Sequence, residues 1–189
     1  MKNILLIATG GTIASKDNGN GLTPSTDVNI LLDYIPVIRQ KCHVTGISLM
    51  NIDSSNMDTS HISSISECIM NNYNDYDGFV ITHGTDTCAY TAAALSYQLI
   101  NLSKPVILTG SQLPIDVEKT DIVEYNINTF ENIMTSGNGF HIKTDMCTDI
   151  AVITLFPGMN YNIFDYLNSS CRGVIIEGFG IGGMPDNIT

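Results

Sequence analysis

Basic residues are scarce in this chain: eight lysines and arginines stand against nineteen aspartates and glutamates, a formal net charge of −11 over 189 residues. Nucleic acids and anionic membrane surfaces are bound through basic faces, so this balance argues against both as partners. Long hydrophobic runs are missing too, and none approaches the roughly 20 residues that span a bilayer. The apolar stretch after Lys2 is too short for a signal-peptide core and leads straight into a Gly-Gly-Thr loop. It reads as a first buried strand, and the expected location is the cytoplasm. The five cysteines (Cys42, Cys68, Cys88, Cys147, Cys171) form no CxxC or Cys/His ligand spacing, and the histidines form no HxxxH pair. No metal site is expected, and the thiols read as reduced and mostly buried. The Gly10-Gly11-Thr12 segment lacks the GxGxxG and Walker lysine patterns, which lowers a nucleotide-binding reading.

What is present is a repeated alternation of strand, loop and helix. Ile4 to Ala8 is continuously apolar, as in a strand covered on both faces. Thr26-Asp27 can cap a helix carrying Ile30, Leu31, Leu32 and Tyr34 and ending near Pro36. Val44 to Met50 predicts a second strand, with residues 51–56 a polar loop. Asp58 or Thr59 then caps a helix that places Ile62, Ile65, Ile69 and Met70 on one face. Phe79 to Thr82 predicts a third strand, Ala89 to Leu99 an alanine-rich helix, and Pro105 to Thr109 a fourth strand ending at Gly110-Ser111-Gln112. The class is α/β, a doubly wound, mostly parallel sheet with helices on both faces. After Pro114 the pattern breaks: residues 116–149 hold acidic and polar stretches, with Ser136-Gly137-Asn138-Gly139 the most linker-like point. Ile150 to Leu155 (strand), Asn162 to Leu167 (short helix) and Gly173 to Glu177 (strand) follow. Two domains are expected: residues 1–140, and residues 148–189 as the start of a smaller α/β unit.

The loops after Ala8, Met50, Thr82 and Thr109 all leave the carboxyl ends of strands, where open α/β sheets bind ligands. Thr12, Ser54, Thr85, Asp86 and Ser111-Gln112 therefore converge on one crevice. A threonine hydroxyl is a weak nucleophile and needs a base within hydrogen-bond reach. For Thr12 and Thr85 the available bases are Asp86, His83 and a lysine whose charged form burial disfavours, for which Lys119 is the candidate. Asp86 is better suited to stay ionised and hold a substrate ammonium. Each residue also has a purely structural reading. Gly10-Gly11-Thr12 can be an anion-binding turn, Thr85-Asp86-Thr87 a helix cap, His83 a packed strand end, Ser54-Ser55 a polar loop and Lys119 a solvated surface residue. Their joint occurrence at successive strand ends favours a site.

Thr9-Gly10-Gly11-Thr12-Ile13-Ala14-Ser15 together with His83-Gly84-Thr85-Asp86-Thr87 is similar to the paired signatures of bacterial-type L-asparaginases. Residues 49–57 resemble the substrate loop of the cytoplasmic type I branch, and Lys119-Thr120-Asp121 the catalytic-lysine segment. Phe156-Pro157-Gly158 and Val174 to Gly183 resemble the opening of the C-terminal domain. The resemblance implies hydrolysis of L-asparagine to L-aspartate and ammonia through an acyl-enzyme, without a cofactor. Thr12 would be the nucleophile, with Thr85, Asp86 and Lys119 handling protons. Gly11, Ser54, Ser55, Thr85 and Asp86 would bind substrate, and backbone N–H groups would hold the oxyanion. Three departures stand out. Leu22 occupies a position where many members carry tyrosine; Lys119 follows Pro114 after only four residues, where the family has a further helix and strand; and, set beside the family, most of the C-terminal domain is expected to be missing, with Gly183 where many members have asparagine. The family's second domain supports its dimer, so a homo-oligomer is implied if that part is complete. The alternative is an impaired fragment that binds amino acids or partners. A tRNA-dependent amidotransferase component is disfavoured by the acidic charge and by the start at the first strand. Apolar surface left by missing elements should make the chain associate.

Overall fold

The apolar run in Lys2–Gly10 forms strand β1, buried without interruption from Leu5 onward. A computed structural model describes residues 1–11, 15–17, 22–24, 28–33, 36–111, 122–126 and 139–178. Short strands β2 (Ser15–Asp17) and β3 (Leu22–Pro24) pair antiparallel. Helix α1 (Val28–Asp33) and a 3₁₀ turn at Pro36–Gln40 lead into β4 (Cys42–Ile52). After a second 3₁₀ turn at Ser54–Asn56 come α2 (Thr59–Asn72), β5 (Gly78–Thr82) and α3 (Cys88–Gln98). Strands β6 (Leu99–Ile100), β7 (Val106–Ser111), β8 (Ile122–Asn126) and β9 (His141–Ile142) complete the first of two compact units, Met1–Thr144.

The main sheet has the order β4-β1-β5-β7-β8. Its first four strands are parallel, and β8 closes the edge antiparallel to β7. Alternation sorts the side chains of each strand between two faces. Leu5, Ile7, Phe79, Ile81, Val106 and Leu108 meet Ile62, Ile65 and Ile69 of α2 and Leu95 of α3 in the larger core. Leu6 and Ala8 turn the other way and pack with Val28 and Leu32 of α1. Helices thus cover both faces of an α/β sheet, as the strand–helix alternation predicts. Asp58 starts α2 with a capping box: its carboxylate accepts from the Ser60 and His61 N–H groups, and the His61 ring takes the Asp58 N–H. The Ser60 hydroxyl, the largest of these influences, and the two N–H groups hold that carboxyl below the usual range.

Several expectations are corrected. Met70 is exposed although Ile62, Ile65 and Ile69 are buried, because it lies a further ~100° round the helix from Ile69. Asn51-Ile52 belong to β4 and Gly110-Ser111 to β7, so those two strands run further than their apolar cores. Among its described residues the acidic stretch 116–149 holds strands β8 and β9. Of the cysteines only Cys68 and Cys88 are buried; Cys42 and Cys171 are half-buried and Cys147 is exposed. Thr26, Asp27 and Tyr34 lie outside the described residues.

At the amino-terminal edge of the sheet, β9 pairs antiparallel with β6, and the Phe140 ring stacks on Tyr73 at 3.8 Å between centroids. Lys104 lies over the Tyr73 ring and donates to the carbonyls of Tyr73 and Tyr76, closing the end of α2.

The second unit, Asp145–Thr189, contains β10 (Ile150–Thr154), α4 (Ile163–Ser170) and β11 (Gly173–Glu177). The two strands are parallel, paired from Ile150–Gly173 to Thr154–Glu177. Val152, Phe156, Tyr166 and Ile175 are more than half exposed. Among the described residues no helix is long and apolar enough to cross a membrane.

Candidate active site

From β1 the chain passes to β4 on one side of the sheet; from β5 it passes to β7 on the other. The carboxyl ends of neighbouring β1 and β5 therefore lie where the connections diverge, the crevice in which doubly wound sheets take ligands. Just below that edge the Thr9 hydroxyl donates to the Thr82 carbonyl at 2.9 Å and ties the two strand ends together.

Glycines let the loops close over this edge. Gly10 and Gly11 have φ of +99° and +80°, a region that side chains disfavour. The Gly11 N–H donates to the Ile52 carbonyl at 3.2 Å, joining the β1 loop to the end of β4. A Cβ on Gly11 would lie 2.5 Å from both Cα and N of Gly84. A Cβ on Gly84 would lie 2.5 Å from the Ser54 hydroxyl oxygen and 3.3 Å from Gly11 Cα. On the far side, a Cβ on Gly110 would meet the His83 carbonyl oxygen at 2.6 Å. Loops separated by some forty to seventy residues in sequence thus touch through backbone, and Gly11, Ser54, Gly84 and Thr85 share one sheet edge.

The Ser54 turn is held from its amino end. The Asp53 carboxylate accepts from the Ser55 N–H at 2.9 Å and the Ser55 hydroxyl at 2.8 Å. These two bonds, the backbone one first, hold the Asp53 carboxyl below its ordinary range. Ser54 is buried, whereas Ser55 is exposed with its hydroxyl turned to Asp53.

His83 is fully buried. Its Nδ1 lies 2.7 Å from the Gly84 carbonyl, which can only accept, so Nδ1 carries the proton. Nε2 is buried and has no partner among the described residues. Burial pushes the ring's pKa down, against a smaller opposing pull from the Gly84 carbonyl, so the imidazole is neutral. Of its two readings, the packed strand end is the one the structure supports.

Thr85 is half-buried and Asp86 exposed, and among the described residues neither side chain hydrogen-bonds another. Thr87 occupies the position before α3, yet its hydroxyl makes no capping bond. It donates instead to the Ser54 carbonyl at 2.8 Å. The helix-cap reading of this segment therefore fails for Thr87, and Thr87 joins the site although nothing beyond its place in the motif marked it. Thr12, Gln112 and Lys119 lie outside the described residues. Among the described residues no group of three His, Cys, Asp or Glu side chains is placed to hold a metal ion.

An open α/β sheet whose glycine-bearing loops meet at its switch point places the chain among the doubly wound α/β proteins. Residues 3–140 match the family model described as asparaginase, N-terminal, and the chain belongs to the asparaginase family. The L-asparaginase of Thermococcus kodakarensis is 25% identical over 237 positions, covering 96% of this chain and 72% of that protein. Its solved structure superposes with a TM-score of 0.81 over 97% of this chain and 73% of its own. L-asparaginase 1 of Escherichia coli K12 is 42% identical over 125 residues, 64% of this chain and 37% of that protein. A glutamyl-tRNA(Gln) amidotransferase component from Pyrococcus abyssi is 40% identical over 256 positions, all of this chain and 58% of the relative. The chain thus spans about a third to three-quarters of the curated relatives it matches. Alignments of 237 and 256 positions exceed its 189 residues, so these relatives carry residues inside the matched region that this chain lacks.

Proposed function

We propose that this protein hydrolyses the side-chain amide of L-asparagine, giving L-aspartate and ammonia, with Thr12 as the nucleophile. The observation that carries the reading is the contact of Gly11 with Gly84, because each glycine directly precedes one of the two motif threonines. Thr12 attacks the amide carbon; Thr85, Asp86 and Lys119 move the proton from its hydroxyl towards the leaving nitrogen. Ammonia departs, an ester joins Thr12 to the aspartyl group, and water hydrolyses that ester. Ser54 holds the α-carboxylate, Ser55 joins it by turning its hydroxyl away from Asp53, and Asp86 holds the α-ammonium. Backbone N–H groups beside the threonines hold the oxyanion, each worth roughly 10²–10³ in rate.

The proposed organisation is a catalytic domain over residues 1–140 that lacks a strand–helix block after about residue 114, then the opening of a second domain from residue 148. The setting proposed is cytoplasmic. Association of copies through the second unit is supported by the exposure of Val152, Phe156, Tyr166 and Ile175. The Pyrococcus relative, named for a glutamyl-tRNA(Gln) amidotransferase, supports a second reading, amide hydrolysis that supplies an amidotransferase, for which we take glutamine as the amide to test.

Ammonia release from asparagine and from glutamine, measured beside a Thr12→Ala control, tests these readings. Turnover of asparagine that the control abolishes is expected. Turnover of glutamine alone favours the second reading. No turnover above the control for either amide overturns both, and leaves a fragment that at most binds amino acids or partners.

A further inference from the structure

The hydroxyl of Thr87 stands where helix α3 needs a cap, and it caps nothing. The first backbone N–H groups of a helix have no partner within it, and a threonine at this position ordinarily satisfies one of them. Here the same hydroxyl reaches across to the Ser54 carbonyl at 2.8 Å, thirty-three residues away in sequence. The Ser54 carbonyl also accepts the Met57 N–H at 3.0 Å, which closes the 3₁₀ turn. Thr87 therefore grips the turn at its hinge point. The Ser54 side chain rests against Gly84.

We propose that Thr87 is a positioning residue that locks the Ser54-Ser55 turn to the Thr85-Asp86 loop, so that carboxylate and ammonium of one amino-acid ligand are met at a fixed separation. The inference rests on the reading of the crevice as an amino-acid site. Thr87 itself touches no substrate; it acts through Ser54. Without this bond the turn keeps its Asp53 tether, which fixes its shape, and the contact of the Ser54 side chain with Gly84, but loses the hydrogen bond that holds it to the segment carrying Thr85 and Asp86. A donor given up by a helix start is a local cost, and a gain in ligand preorganisation is the kind of return that offsets it.

The test uses the whole chain with Thr87→Val, which keeps the volume and removes the donor, and Thr87→Ser, which keeps the donor. The probe is L-aspartate, with affinity read by calorimetry well below the melting temperature; KM and kcat for asparagine are read in parallel. Thr87→Val is expected to weaken aspartate binding roughly three- to tenfold, the range for one lost hydrogen bond. KM should rise by more than kcat falls, and Thr87→Ser should restore affinity to within about twofold. A merely structural Thr87 would lower the melting temperature of Thr87→Val and leave the affinity of the folded protein unchanged, and that result overturns the inference. Failure of Thr87→Ser to restore binding also overturns it. A wild-type protein that binds aspartate without turning asparagine over defeats the hydrolytic reading while the three affinities still decide the role of Thr87. A wild-type protein that does neither defeats both.

Discussion

Gly11→Ala probes the closest approach in the crevice, and two costs add in it. The first is backbone conformation: φ of +80° is left-handed, and an L side chain there costs about 1–2 kcal/mol. The second is collision, since the new methyl would sit 2.5 Å from both Cα and N of Gly84, whereas carbon atoms pack at about 3.5–4.0 Å. Both obstructing atoms are backbone, so no rotamer relieves the overlap and the two loops must part by about 1 Å. Overpacking of this kind costs typically 1–3 kcal/mol. The sum is about 2–5 kcal/mol, a large share of the 5–15 kcal/mol that holds a domain folded. Gly139→Ala is the internal control: its φ is +75°, and a Cβ there meets nothing within 4 Å. It carries the conformational cost alone, about 1–2 kcal/mol. Both glycines belong to the first unit, so urea unfolding of that unit at 25 °C reads both variants against wild type on one transition. Gly11→Ala must be the more damaged by at least about 1 kcal/mol. Equal losses would refute the packed contact between the β1 and β5 loops.

Three further outcomes are expected. Because His83 titrates below its ordinary pKa when folded, the unfolded chain binds the extra proton first as pH falls through about 6.5; stability is full above that value and declines below it. His83→Leu should flatten this decline between pH 7 and 5 in denaturant titrations, and an unchanged slope would count against the buried neutral ring. Burial pushes the Cys88 thiol up to about 11, so in native protein near pH 8 a thiol reagent should label exposed Cys147 well before Cys88; equal rates would contradict the burial. Ile65→Ala, at a fully buried position between α2 and the sheet, should cost about 2–5 kcal/mol by urea denaturation, and a loss under 1 kcal/mol would argue against that packing.

The central parallel strands β1 and β5 were legible because each is buried on both faces and so is written as an apolar run, Leu5-Leu6-Ile7-Ala8 and Phe79-Val80-Ile81, whereas β4 at the sheet edge mixes polar residues into its length. β8 carries no such run: Ile122-Val123-Glu124-Tyr125-Asn126 includes a charge and lies at the sheet edge, where one flank needs no partner strand. β9, at two residues, exists through its pairing with β6 and has no periodicity to detect. The convergence of strand ends followed from topology alone, since every parallel strand presents its carboxyl end at the same edge. What topology cannot supply is which atoms touch there. The meeting of Gly11 with Gly84 depends on the register of β1 against β5, and the engagement of Thr87 with Ser54 depends on how far β4 runs past β1. Thr87 looked like an ordinary cap because its position is a cap position; only its partner distinguishes the two uses.

The clamp at the other end of the sheet has a consequence for how this chain can vary. β7 is paired with β5 along Val106–Thr109, and Phe140 is pinned to Tyr73 just before β9 fastens to β6. Apart from β8, which adds itself to the free edge of β7, the intervening polypeptide leaves and returns at two posts anchored by elements outside it. Closing a loop of twice the size costs only about 0.6 kcal/mol more, so residues can be lost or gained between the posts while the four parallel strands keep their register. A lineage trimming itself there would be editing a span between two piers and not the piers themselves.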